Sequence, residues 1–470
     1  MLKRLLTYTI MLTLALIASI AQAQPMLEKS FSAGPADQFV VPQLAKRQLR
    51  LADIHGLLDS FATSKWVKRQ VIGQSFEGRP IYRLSVGSGD TVVLMWSQMH
   101  GDESTATAAL FDLLLRVERD DAWRSAWIDK LTVHIIPMLN PDGAERGQRE
   151  NAQGIDINRD AQALQSPEAR LLRQQAEALK PDFAFNLHDQ NDYYAVGRSA
   201  YPATISVLAP AFDVNKSVNA SRQRAMQVIA QLMTVMDTYL PGHTGRYNDT
   251  YEWRAFGDLF SAFGISTILL ESGAYFNDPE RQLARALNRA LLSQALLDLA
   301  SRAYENADVE RYWQIPLNRS NGFHDLLVDG VTVSDSGQSY QLDIAIRRSK
   351  DRRRGMIESV GDQSTVNAFA RFNAAGFDYR MGRAYAIPAT GLALQHTDYQ
   401  QLLQQGYSHF IGAAEQLQIN TSWPVVINPK YPPGARPQAD QNASFLLAKG
   451  SAITHAVLQG QLFTLTETSQ

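Results

Sequence analysis

His100 and Glu103 stand three positions apart in His100-Gly-Asp-Glu103. That spacing can turn both side chains toward one ion if the segment enters a helix. His188 follows 85 positions after Glu103. His100, Glu103 and His188 would together make a two-histidine, one-carboxylate zinc site with a fourth position open to water. Either histidine alone reads as well as a surface or core residue. Glu271 follows the apolar stretch Ile265-Ser-Thr-Ile-Leu-Leu and precedes Ser272-Gly273. A carboxylate there is costly to bury without a partner. It caps a neighbouring loop, or it serves as a general base for a water whose pKa a metal has lowered. The chain has no cysteine, so disulfides, zinc-thiolate sites, iron–sulfur clusters and cysteine nucleophiles are excluded. Any metal must rest on His, Asp or Glu.

Three arginine and asparagine positions complete the set. Arg149 could polarise a carbonyl and stabilise its oxyanion. Asn158 and Arg159, adjacent in Gly154-Ile-Asp-Ile-Asn158-Arg159, could clasp a carboxylate, Arg159 by a bidentate pair. For any one of these arginines a surface salt bridge is the simpler reading. Asn140-Pro-Asp-Gly143 alone signals a turn.

Such residues need a scaffold that brings them to one edge. Apolar runs at 91–96, 131–139, 182–188 and 265–271 read as buried strands. Helical spacing covers 44–61, 104–116 and 279–303. Ser166-Pro167-Glu168 supplies an N-cap, a first-turn proline and an early acid for a helix to about 179. Strands alternating with helices predict an α/β domain with a mostly parallel sheet, whose strand ends gather ligands at one edge.

The 470 residues suggest two to three domains. The opening MLKRLLTYTIMLTLALIASIAQAQ has a basic start, an apolar run and the small-x-small site Ala21-Gln22-Ala23. It predicts a signal peptide over 1–23 and an exported protein, periplasmic or secreted from a bacterium. Removing it changes the balance from 45 − 47 = −2 to 43 − 47 = −4. That charge argues against a nucleic-acid partner. No later run is long and apolar enough to span a bilayer, so no membrane contact is expected after cleavage. The catalytic domain is placed at 24–304, a linker at 305–324, and a β-rich accessory module at 325–470, with a helix near 397–406. The basic run 347–354 reads as a solvated loop.

In order along the chain, several segments resemble the zinc metallocarboxypeptidases of the carboxypeptidase A-like family. They are Gly73-Gln-Ser-Phe-Glu-Gly-Arg79, His100-Gly-Asp-Glu103, Asn140-Pro-Asp-Gly143, Asp156-Ile-Asn-Arg159, His188 and Glu271. The resemblance covers about residues 40–300. It implies an α/β/α sandwich with a mixed, mostly parallel twisted sheet of about eight strands. It implies one Zn2+ per chain on His100, Glu103 and His188, with Glu271 as general base and Arg149 polarising the scissile carbonyl. Asn158 and Arg159 match the pair that binds a peptide's free C-terminal carboxylate. The family's substrate-closing tyrosine has two candidates, Tyr247 and Tyr251, of which Tyr251 is expected. Arg254, near Asp258, falls in the segment that sets side-chain preference; it could take an acidic group or pair with Asp258. The C-terminal module is similar to the β-sandwich that flanks amidohydrolase barrels, without the barrel's metal motif.

The resulting expectation is an exopeptidase that hydrolyses C-terminal peptide bonds by attack of zinc-bound water. Two alternatives stand beside it. One is a cell-wall peptidase or amidase of the same fold acting on γ-D-glutamyl bonds, and the other is a non-catalytic peptide-binding protein.

Overall fold

The computed structural model describes residues 38–350 and 352–465; the expected signal segment lies outside them. The chain divides into two compact units, the first ending at Ser320 and the second starting at Asn321.

The first unit is built on a mixed eight-stranded sheet. Its strands are β1 (Val67–Gln74), β2 (Pro80–Gly87), β3 (Thr91–Ser97), β4 (Leu131–Ile136), β5 (Phe183–Asp189), β7 (Ile205–Leu208), β8 (Thr244–Arg246) and β9 (Ser266–Ser272). The order is β1-β2-β4-β3-β5-β9-β7-β8. The central run β4-β3-β5-β9 is parallel, and β7–β8 is a further parallel pair. The β1–β2, β2–β4 and β7–β9 pairs are antiparallel. The four strands predicted from apolar runs are the parallel centre, buried on both faces as such strands must be. The strands that sequence patterning missed lie toward the edges, where β1 alternates exposed and half-buried residues.

Side-chain alternation divides the centre between two cores. Val93, Met95, Phe183, Phe185, Leu187, Ile268 and Leu270 face one core with the helices Thr105–Arg119, Ala220–Tyr239 and Gln282–Ser301. Leu94, Trp96 and Ala184 face the other, against the helices Pro167–Leu179 and Phe256–Ala262. Trp96 meets Phe260 edge-on at 5.4 Å. Ser166 caps its helix as expected, its side chain accepting from the Ala169 N–H.

Residues 305–324, expected as a linker, are mostly part of this unit. A helix spans Glu310–Gln314, and β10 (Asn318–Arg319) pairs antiparallel with β6 (Ala195–Val196). Tyr312 is fully buried and its hydroxyl accepts from the Ala209 N–H. The polar composition around Tyr312 and Ile315 hid two apolar anchors.

The second unit is β-rich, as expected. Phe323–Asp335 and Gln338–Arg348 pair as an antiparallel hairpin within an eight-stranded sheet. A helix spans His396–Gln404, burying Tyr399 and Leu403. The basic run does not lie wholly in a loop: Arg347 and Arg348 end the second strand of that hairpin. Arg347 pairs with Glu358 and Arg352 with Asp325.

One buried group ties the first unit's stability to pH. Burial pushes His243 down to about 4, against the Pro202 carbonyl, which favours the protonated ring. Its folded pKa lies below the ordinary 6.5, so stability is full above pH 6.5 and falls as pH drops toward 4. The loss is roughly 3 kcal/mol. Urea unfolding at pH 7 and pH 4.5 should give a shallower difference in His243→Gln than in wild type. An equal difference in the two proteins would acquit His243.

Candidate metal and catalytic site

The site forms where the parallel strands end. The chain leaves β3 at Ser97 and reaches His100 and Glu103 before the helix Thr105–Arg119 begins. Gly101 permits a tight crossing here. A Cβ on it would stand 2.0 Å from the Gly143 backbone, so only glycine lets this loop lie on Asn140-Pro-Asp-Gly143. The Asn140 amide donates to the carbonyls of Met99 and Arg149, fastening the loops that carry His100 and Arg149. Asp142, fully buried, accepts from the Ser75 hydroxyl, the Glu77 N–H and Arg79. The glycine- and arginine-containing segment 73–79 therefore braces the turn 140–143.

His188 and Glu271 are direct register partners on the adjacent parallel strands β5 and β9. Alternation turns both toward the same face, opposite Leu187 and Leu270. His100, Glu103 and His188 are all buried, with ligand atoms within 4.8 Å of one another. His100 Nδ1 lies 2.8 Å from Glu103 Oε1, and His188 Nδ1 lies 2.7 Å from Glu103 Oε2. The two Nδ1 atoms are 3.1 Å apart. Ligand atoms at ordinary zinc distances in a tetrahedron sit roughly 3.3 Å apart, so this donor set fits one zinc ion. His100 Nε2 meets Asp156 at 3.1 Å, the carboxylate support that metal-binding imidazoles commonly have.

The electrostatics follow from burial. Burial opposes ionisation of Glu103, yet His100 and His188 hold its carboxyl well below the usual range. Burial drives Glu271 well above that range, reinforced by the charges of Glu103 and Asp189. Two carboxylates so close are thus pushed apart in acidity, and a cation on the cluster would offset the repulsion felt by Glu271.

Arg149 belongs to this centre. Its Nη1 lies 3.0 Å from His100 Nδ1 and 3.2 Å from Glu103 Oε1, while Nε and Nη2 both meet Asp156 Oδ2 at 3.0 Å. Asp156 joins Arg149 to His100, a link that its place in the Asp156-Ile-Asn-Arg159 segment could have signalled. Asn158 is held by its own contacts: its N–H donates to Asp156 and its Oδ1 accepts from the Phe256 N–H. Arg159 reaches Glu252 at 3.7 Å.

Arg254 pairs with Glu252, not with Asp258; its Nε and Nη2 lie 3.0 and 3.1 Å from that carboxylate. Asp258 instead accepts from the Glu252 N–H, and burial raises its carboxyl to about 6. Of the two tyrosines, Tyr247 is the one set against the charged centre. Its ring lies 5.5 Å from that of Tyr194, and burial, followed by Glu271, raises its hydroxyl far above the ordinary value. Tyr251 is half-buried, four residues further along a segment without regular structure.

Residues 54–186 match the family model described as zinc carboxypeptidase. An uncharacterized protein of Zymomonas mobilis is 29% identical over 139 residues, covering 28% of this chain and 37% of that protein. Carboxypeptidase 2 of Trichophyton rubrum is 25% identical over 187 residues, covering 36% of this chain and 34% of its own. The chain thus spans about a third of the length of these curated relatives. Among solved structures, a metallo-carboxypeptidase from Burkholderia cenocepacia is 20% identical with a TM-score of 0.45, covering 55% of this chain and 71% of that one.

Proposed function

We propose that this chain, whose residues 54–186 match the zinc carboxypeptidase family, is a zinc-dependent exopeptidase that removes C-terminal residues from peptides. The observation that carries the proposal is the register of β5 and β9. It sets Glu271 beside His188 and so beside the whole His100–Glu103–His188 cluster.

His100, Glu103 and His188 would hold the ion. Bound there, zinc supplies Lewis acidity, polarising a carbonyl and easing loss of a proton from water. Glu271 takes that proton and returns it to the leaving amine. Arg149, aimed by Asp156 toward the cluster, supplies fixed positive charge where the carbonyl oxygen becomes negative. Asn158 and Arg159 receive the substrate's terminal carboxylate, with Arg159 exchanging its long contact to Glu252 for a bidentate pair. Tyr247 or Tyr251 closes over the bound residue, and Arg254 with Glu252 borders the space for its side chain. The amino-terminal apolar segment would deliver the protein to a periplasm or the exterior. Among the described residues no helix is long and apolar enough to cross a membrane.

The test is a cleavage screen over peptides varied at their last two positions, together with a murein tripeptide, read by mass spectrometry. Single-residue loss from the C-terminus is expected, abolished by a chelator and restored by zinc. Cleavage confined to the murein peptide would move the substrate to γ-D-glutamyl bonds. Stoichiometric peptide binding with no cleavage in zinc-loaded protein would overturn the proposal.

A further inference from the structure

We propose that Arg281 is a positioning residue for this site: buried behind it, its guanidinium ties the ends of β5 and β9 and so fixes His188 relative to Glu271. The inference rests on the reading of the site given above.

The register that pairs His188 with Glu271 pairs Asp189 with Ser272, and the ladder then ends. One backbone bond continues beyond it, from the Gln190 N–H to the Ser272 carbonyl at 2.9 Å. Arg281 closes this open end. Its Nη1 donates to the Ser272 carbonyl and its Nη2 to the Gln190 carbonyl. One planar group thus grips the residue after Glu271 and the second residue after His188. The same guanidinium pairs with Asp192 at 2.5 Å and lies 3.6 Å from Asp189, whose Oδ2 accepts from the Thr105 hydroxyl just after Glu103.

The arrangement is costly, which argues for more than filling space. Arg281 is fully buried, and a buried cation costs more than an apolar side chain of similar size. Its backbone is left-handed, with φ 53°, immediately before the helix Gln282–Ser301. Non-glycine residues seldom adopt that conformation. Gly273 adds to the tightness, since a Cβ there would stand 1.9 Å from the Ala203 carbonyl oxygen. A lysine could reach these groups but could not fork across two carbonyls and a carboxylate at once.

Arg285 offers an internal comparison. It is also buried and ion-paired, but to Asp112 at 2.7 Å and to the Val41 carbonyl, not to the ends of β5 and β9. The full chain should therefore be compared as Arg281→Met, Arg281→Lys and Arg285→Met. The readouts are zinc affinity by competition with a chromogenic chelator, hydrogen exchange of the Gln190 amide, and kcat and KM. Arg281→Met is expected to bind zinc about 10- to 100-fold more weakly, the range for loss of an outer-shell support. Its Gln190 amide should exchange faster, and kcat should fall while KM stays near the wild-type value. Arg281→Lys should fall between. Arg285→Met should lose thermal stability yet keep zinc affinity and Gln190 exchange. If Arg281→Met does not fold, Arg281→Lys carries the comparison. Unchanged zinc affinity and Gln190 exchange in the folded Arg281 variant, with stability alone reduced as in Arg285→Met, would overturn the proposal. Zinc binding without peptide cleavage by wild type would sink the exopeptidase reading only, because affinity and exchange still decide the role of Arg281.

Discussion

Glu271→Gln is expected to retain zinc and the native fold while losing turnover by about 10³- to 10⁴-fold, the upper part of the range for removing a general base. In activation free energy that is roughly 4–5.5 kcal/mol. The amide matches the carboxylate in shape but cannot accept the proton. It leaves His100, Glu103 and His188 untouched, so zinc content should match wild type. Stability gives an independent sign. Glu271 is half-buried, and burial with the charges of Glu103 and Asp189 penalises its ionised form. Its folded pKa is raised, so this residue favours the fold below its ordinary pKa, and the advantage is lost as pH rises through the folded value. A neutral glutamine escapes that loss, so metal-free Glu271→Gln should unfold at the same temperature as wild type or higher at neutral pH. Single-turnover kinetics, zinc analysis and calorimetry on one preparation would check all three. Near-normal turnover would remove Glu271 from the mechanism. A large fall in zinc content would mean that it supports the cluster instead.

The legible part of this molecule was its buried parallel centre and the residues at the ends of those strands. Continuous apolar runs such as 91–96 and 265–271 mark strands covered on both faces, and polar residues at their ends stand out against them. His100, Glu103, His188 and Glu271 were found in this way, and the resemblance put them in one site. What the sequence did not disclose lies in groups without a periodic signal. β1 and β2 carry mixed burial because one lies at the sheet edge. Tyr312 and Ile315 are apolar anchors in a polar stretch. Arg254 stayed open between an acidic group and Asp258, and the path of the chain gives it Glu252, which neither alternative named. Arg281 drew no reading from the sequence. Its burial follows from a single left-handed residue before a helix, which no spacing rule announces.

His188 is where sequence and structure bear on each other most directly. The zinc carboxypeptidase match stops at residue 186, two positions short of it. Its place in the cluster rests on β5 lying between β3 and β9, which carries it to the loop bearing His100 and Glu103. His188→Ala should therefore reduce zinc affinity by more than the roughly 10- to 100-fold that loss of an outer-shell partner costs. Two protein ligands would remain where a catalytic zinc site uses three. Activity measured at fixed zinc should vanish, whereas Glu271→Gln loses turnover with zinc in place. The metal-free proteins provide the control. Burial depresses His188 against the pull of Glu103, so alanine leaves a cavity and takes from buried Glu103 one of its two histidine partners, and some loss of metal-free stability is expected. Zinc-induced stabilisation, by contrast, scales with affinity and should collapse in the variant. Thermal unfolding with and without saturating zinc measures that difference in one experiment. An undiminished zinc-dependent rise in His188→Ala would place the metal on other side chains and remove this cluster from the proposal.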